Sequence, residues 1–331
     1  MGREVAAQRA AAARTAALRS ALTGQYTAMA DALGRVAEEL FAETAADSRR
    51  ARQVGELFCA LGLPPLEVSA AQTRDGRCRV SVALGAVALS PEELTLLAGE
   101  VSACCGRQLC CVRQSAPAAS IRLEFTEAPP LTAEFAAASS AAAGGVSADA
   151  VRSFCDARGR AHLILCDGMG TGKAAAVDGE LAASLSRRLI DAGFEGDDAA
   201  RLVNVALTLK GEDAGAALDL LTVDLYTGRC DLFKAGAAPT YVLKKGQAAA
   251  LSAETLPVGL MGGVVGRSVR TVLGPGAAAV MVSDGAVAAG DDWLKAELQR
   301  LAAAPPQQLA EELLAGALRR AGGRRDDITV A

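Results

Sequence analysis

Histidine is almost missing from this chain: His162 is the only one in 331 residues. One imidazole cannot build a two-histidine metal site, and a Ser-His-Asp triad would rest on it alone. His162 stands at the start of a predicted strand, where an exposed or capped ring is the ordinary outcome. Aromatic residues are also scarce, at 3%, so stacking platforms for bases are lacking. The formal net charge of −4 gives no electrostatic basis for binding nucleic acid. No apolar run is long enough to span a bilayer. Arg3, Arg9, Arg14 and Arg19 interrupt the N-terminal stretch and exclude a signal-peptide core there; they read as an exposed helix face. No cysteine is followed six positions later by arginine, which removes cysteine-based phosphate chemistry of that type. Nine cysteines with no secretion signal point to reduced thiols and a cytoplasmic setting.

What is present is a packed core, at 51% hydrophobic residues, although much of that is alanine, which buries little area. The chain turns on residues 160–174. Leu163 to Cys166 reads as a buried strand, and it stops at Asp167. Gly168, Gly170 and Gly172 follow, then an Ala-rich helical stretch. A carboxylate at the end of a buried strand is costly unless something pairs with it. The Asp-Gly pair recurs at Asp284-Gly285 after Ala277 to Val282, and Asp326-Asp327 precedes Ile328 to Val330. One Asp-Gly is usually a turn. Three acidic sites on strand ends, without histidine, point to hard cations with oxygen ligands. Two Mg2+ or Mn2+ ions would bridge and activate a water, with Asp167 bridging and Gly168 lending its carbonyl. Asp167, Asp284 and Asp326 are expected in one pocket, on the order of 4–7 Å apart.

Other nucleotide and cofactor loops fit less well. Residues 168–173 lack the P-loop spacer, and Ala174 replaces its Ser/Thr. Lys173 stands where a dinucleotide fingerprint needs its third glycine. Residues 165–172 approach the first motif of S-adenosylmethionine methyltransferases, but hairpins follow where alternating strands and helices are required.

Taken in order, residues 1–58 read as helical. Leu22, Tyr26, Met29, Leu33, Val36 and Leu40 form an a/d stripe, for a second copy or for this chain's own domain. Residues 59–128 read as a small α+β unit. There Cys78, Val80, Val82 and Leu84 alternate, and Ser90 to Glu93 forms a capping box ahead of a helix burying Leu94, Leu97 and Val101. Cys104-Cys105 and Cys110-Cys111 lack zinc-ligand spacing and read as small buried hydrophobes. Residues 129–331 form the third region. It holds helices at 174–192 and 199–210 and hairpins turning at Thr227-Gly228 and Lys245-Gly246. Strands also flank Gly274-Pro275-Gly276, and a helix after Pro305-Pro306 runs to about Arg320. Ala136 to Gly145 reads as a poor strand or a loop. The sum is stacked antiparallel sheets covered by helices.

Asp167-Gly168-Met169-Gly170, Pro257-Val258-Gly259, Ser283-Asp284-Gly285 and Asp326 to Val330 together resemble the metal-dependent protein phosphatase 2C class. Within it, the nearest branch is the stage II sporulation protein E phosphatases. The resemblance covers roughly 130–331, with weaker likeness of the N-terminal regions to that branch's regulatory part. It implies an α+β fold, a β-sandwich flanked by helices, preceded by a helical and small α+β regulatory region. It also implies a Mn2+- or Mg2+-dependent serine/threonine phosphatase. Its metal ligands would be Asp167, Asp284 and Asp326, the Gly168 backbone, and Asp149 as an outer ligand within Ser147-Ala148-Asp149. The implied substrate is a phosphorylated anti-anti-sigma factor of a sporulation switch. A homodimer through the N-terminal helix and a division protein are further expected partners. Membrane association through a region ahead of the regulatory part is also implied. In that family the two helices after the metal-binding strand act as a switch. The rival expectation is a scaffold that keeps the fold and binds partners without catalysis.

Overall fold

The structure is a computed structural model. It describes residues 45–331 except 74–75, 116–119, 143–144, 157, 171, 212–213, 261–265, 289 and 323–325, together with residues 23, 27, 30 and 34. The stripe from Leu22 to Leu40 therefore lies outside the described residues; Thr23, Thr27, Ala30 and Gly34 are helical and exposed. The chain divides into two compact units, one being Ala37–Pro130 and the other containing Leu131–Ala331.

Among its described residues, the first unit is one antiparallel sheet with two helices. Strands β1 (Ala45–Ala46), β2 (Pro65–Gln72), β3 (Cys78–Gly85), β4 (Leu109–Ser115) and β5 (Ser120–Glu127) lie in the order β1-β2-β3-β5-β4. The alternation read from the sequence holds. Cys78, Val80, Val82 and Leu84 are buried, opposite Ile121, Leu123 and Phe125 of β5. The helix Ser48–Ala60 crosses residue 58 and adds Val54 and Phe58 to this core. The helix Pro91–Cys105 carries the expected capping box: Ser90 accepts from the Glu93 amide, and Glu93 accepts from the Ser90 amide. It buries Leu97 and Val101, while Leu94 is half-buried. All its cysteines are free, and burial pushes the Cys105 thiol up to about 12, which leaves it inert.

The second unit is a four-layer sandwich. One sheet runs β13-β10-β9-β8-β7, from β7 (Asp149–Cys155), β8 (Arg160–Gly168), β9 (Ala216–Asp224), β10 (Arg229–Ala235) and β13 (Arg267–Val272). Facing it are β11 (Thr240–Lys244), β12 (Gln247–Leu251) and β14 (Ala278–Val280), with β6 (Ala138–Ser140) and β15 (Ile328–Val330). A bridge between Val282 and Val330 joins these two groups. Leu163, Leu165, Leu221 and Leu232 of the first sheet meet Val242, Met281 and Ala331 of the second. On the outer face of the first sheet, Ile164, Cys166, Leu218 and Leu220 pack under the helices Lys173–Asp191 and Gly196–Lys210. On the other outer face, Tyr241, Val280, Ile328 and Val330 pack under Asp292–Arg300 and Pro306–Ala321. Strand β8 is buried on both faces, which is why it reads as a continuous apolar run. The strands flanking Gly274-Pro275-Gly276 do not pair with each other: β13 joins β10, and β14 joins β11.

Candidate metal centre

Strand alternation aims the first carboxylate. Leu163 and Leu165 face the opposite sheet, so Asp167, two residues on, faces the same way at the end of the sandwich. Asp149 opens β7 directly opposite Asp167 in the ladder. Asp284 starts the short helix Asp284–Val287 that follows Val282 and Ser283, and Asp326 precedes β15. These four carboxylates and Asp327 share one electrostatic neighbourhood. Burial raises Asp167 to about 8, reinforced by the negative charges of Asp149, Asp284, Asp326 and Asp327. Burial raises Asp149 to about 6; the Thr329 and Ser283 hydroxyls oppose the rise, while Asp327 and Asp284 add to it. Both Asp149 oxygens are nevertheless buried without a hydrogen bond of normal geometry. The Thr329 hydroxyl donates instead to Ser139 Oγ at 3.0 Å, and Ser283 Oγ accepts from the Thr329 amide at 2.9 Å.

Gly168 answers to packing. A Cβ there would stand 1.9 Å from the Ala175 carbonyl oxygen, in the helix that crosses the strand end. Gly179, one turn further along that helix, would place its Cβ 2.1 Å from the Ala148 oxygen. Strand, helix and incoming segment thus meet backbone to backbone beside Asp167. The Pro257-Val258-Gly259 segment is pinned nearby: Val258 bridges Ala216, and the Gly259 amide donates to Asn204 Oδ1 at 2.8 Å.

The donor set is all oxygen, as hard divalent ions prefer. Among the described residues, no three acidic, His or Cys side chains stand in position to hold a single ion. Asp149, Asp167, Asp284 and Asp326 are the residues that would hold such ions, with water supplying the remaining ligands, as is common for Mg2+. Orphaned oxygens on Asp149 and mutual repulsion around Asp167 are what such a charge would relieve.

His162 departs from expectation. It is buried at 1% exposure, stacked on Phe154, with Nδ1 3.0 Å from Thr222 Oγ1 and Nε2 3.1 Å from Asp156 Oδ2. Both ring nitrogens are engaged at the far end of β8 from Asp167, so the ring belongs to the β7–β8 turn. Burial works against ionisation of Asp156, but hydrogen bonds from His162 and Arg160 outweigh it and hold its carboxyl far below the usual range. The methyltransferase alternative fails on topology, because β8 pairs antiparallel with both β7 and β9.

Two groups escaped the sequence reading. The sequence pairs Asp327 with Asp326 as one acidic site, yet the Asp327 carboxylate is bound to backbone. Asp219 and Lys234 form a fully buried ion pair between β9 and β10, closed by Thr240 of the opposite sheet. The turn at Thr227-Gly228 already places these two opposite each other, so hairpin register was the available signal.

Comparison with known proteins agrees with this architecture. The family described as Stage II sporulation protein E (SpoIIE) matches residues 157–331. The chain belongs to the SpoIIE family. Stage II sporulation protein E of Bacillus subtilis (strain 168) is 29% identical over 174 residues, 50% of this chain and 21% of that protein. The Priestia megaterium protein of the same name is 26% identical over 180 residues, 52% of this chain and 31% of that protein. The chain thus spans less than a third of these relatives' lengths. A solved structure of the PP2C phosphatase domain with a fragment of the regulatory domain of B. subtilis SpoIIE shares the fold. Its TM-score is 0.68 at 22% identity, covering 100% of this chain and 97% of that one. The serine/threonine phosphatase PstP/Ppp of Mycobacterium tuberculosis aligns with a TM-score of 0.50 at 21% identity, over 59% of this chain and 95% of that one. The β-sandwich flanked by helices is therefore the phosphatase 2C fold. Among the described residues no helix is long and apolar enough to cross a membrane.

Proposed function

We propose that this chain is a metal-dependent serine/threonine protein phosphatase. In this reading Asp149, Asp167, Asp284, Asp326 and the Gly168 carbonyl hold two Mn2+ or Mg2+ ions, and Asp167, Asp284 and Asp326 carry the chemistry. The observation that supports it most is the gathering of these carboxylates from four separate segments, with both Asp149 oxygens buried and unbonded. Family membership supports it independently. When bound, such ions lower the pKa of a water and orient it toward phosphorus. The chain's own residues supply the frame. The β7–β8 ladder holds Asp149 against Asp167, and the close backbone crossing at Gly168 and Gly179 keeps side chains out of that end. The proposed substrate is a phosphorylated anti-anti-sigma factor in a sporulation switch. The proposed assembly is a homodimer through the N-terminal helix, with a division protein as a further partner.

The test is release of phosphate from phosphoserine protein and from p-nitrophenyl phosphate, with Mn2+, with Mg2+ and after chelation. Asp284→Asn keeps size and removes charge, so it should fold and lose about 100-fold or more of the Mn2+-dependent rate, at least the loss seen when a group supporting a metal is removed. Full activity in Asp284→Asn would take Asp284 out of the site. A wild-type protein inert with either ion would instead favour a scaffold.

A further inference from the structure

The Asp326-Asp327 pair divides its labour. Asp327 Oδ1 accepts from the Ala142 amide and Oδ2 from the Ala148 amide, each at 2.6 Å. These donors lie 185 and 179 residues away in the chain, on the segment that leads into β7. Both bonds are charge-assisted, roughly twice as strong as neutral ones. From Ala148 the connection continues, since its carbonyl accepts from the Gly168 amide at 3.1 Å. The Asp327 backbone carries it the other way. A Cβ on Gly285 would stand 2.1 Å from the Asp327 carbonyl oxygen, and Ser283 Oγ donates to that oxygen at 3.4 Å. One residue thus ties together the segments bearing Asp149, Asp167, Asp284 and Asp326.

The residue type follows from hydrogen-bond chemistry. Both partners are donors, so both arms of the side chain must accept. Aspartate does this; asparagine has one accepting arm and would turn an N–H toward the other amide. A carboxylate retained among repelling carboxylates, with both oxygens on backbone, is placed for its shape and acceptors.

We propose that Asp327 is a positioning residue: it holds Ala142 and Ala148 so that Asp149 faces Asp167 before any metal arrives. The inference rests on the metal-phosphatase reading of the same site. Its test uses the full chain, with Mn2+ binding followed by the loss of the free-ion electron spin resonance signal and amide exchange followed by NMR. Asp327→Asn is expected to weaken Mn2+ binding about 10- to 100-fold, as loss of a group supporting metal ligands does. Activity lost at limiting Mn2+ should return as Mn2+ is raised, and Asp327→Glu should bind Mn2+ more tightly than Asp327→Asn. In metal-free wild type the Ala148 and Gly168 amides should already be protected, and Asp327→Asn should lose that protection at Ala148. Unchanged Mn2+ affinity in a folded Asp327→Asn overturns the inference. So does free-chain exchange at Ala148 in metal-free wild type, which decides the matter alone if the variant does not fold. Wild type that binds no Mn2+ overturns the reading of the site, while protection at Ala148 still decides what Asp327 does.

Discussion

At Gly168 a methyl group has nowhere to go. The atoms it would strike, the Ala175 carbonyl oxygen at 1.9 Å and carbon at 2.7 Å, are helix backbone and cannot rotate aside. Gly168→Ala is therefore expected to destabilise by about 3 kcal/mol or more, the upper end of overpacking costs. Urea unfolding measures this, and a midpoint within error of wild type would show that the helix is free to retreat. The neighbouring carboxylates set the pH response. Asp149 and Asp167 keep their protons to about 6 and about 8 when folded, against 3.8 as the ordinary value. Between those limits the folded state binds more protons than the unfolded one. Metal-free stability should accordingly fall as pH rises from about 4 to about 8. Mn2+ competes with the same protons, so its stabilisation should grow across that range. Unfolding at pH 5 and pH 8, with chelator and with Mn2+, checks both signs.

Between elements, Lys234 and Asp219 form a fully buried polar link. The pair is 0% and 1% exposed, and Thr240 donates to Asp219 across the two sheets at 2.8 Å. Burial pushes Asp219 up and Lys234 down, against their mutual attraction, so each needs the other. Lys234→Met should cost about 3–5 kcal/mol, because it leaves a buried charge alone. Adding Asp219→Leu should recover most of the loss, since replacing a whole buried pair with apolar groups is often neutral or stabilising. Thermal unfolding of both variants decides it; a double variant as unstable as the single one would mean that shape at this place outweighs charge. The two helices over the first sheet are joined by Lys210 and Asp178, which ties the first turns after Gly168 to the end of the next helix.

For the whole molecule, the Ala37–Pro130 unit draws its core from its own residues, Val54 and Phe58 to Phe125. A fragment of residues 37–130 is expected to unfold cooperatively, and a broad, non-cooperative melt would show that it depends on the rest of the chain. Within it, Ser90→Ala should cost about 1 kcal/mol by removing one half of the capping box. The proposed dimer is tested at the same scale. Leu33→Lys places a charge in the N-terminal stripe and should lower the phosphatase rate and its dependence on protein concentration, while Mn2+ affinity stays put. A rate independent of concentration in both forms would assign the stripe to packing within one chain.

Much of this was legible in the sequence because the signals are local. Alternation around Cys78, the Ser90 capping box, the turns at Thr227-Gly228 and Lys245-Gly246, and the apolar run ending at Asp167 each depend on a few adjacent residues. The acidic positions Asp167, Asp284 and Asp326 were legible as motifs for the same reason. Only the tertiary structure decided which segments cross. It set Asp149 opposite Asp167, separated Asp327 from Asp326 by giving its oxygens to Ala142 and Ala148, and buried His162 against Asp156 and Thr222. It sent β13 and β14 to different sheets although only residues 273–277 link them. It also gave Gly168, Gly179 and Gly285 their reason, which is backbone passing within contact of backbone. These features arise where segments far apart in the chain meet, and the identity of a residue does not state what will be laid against it.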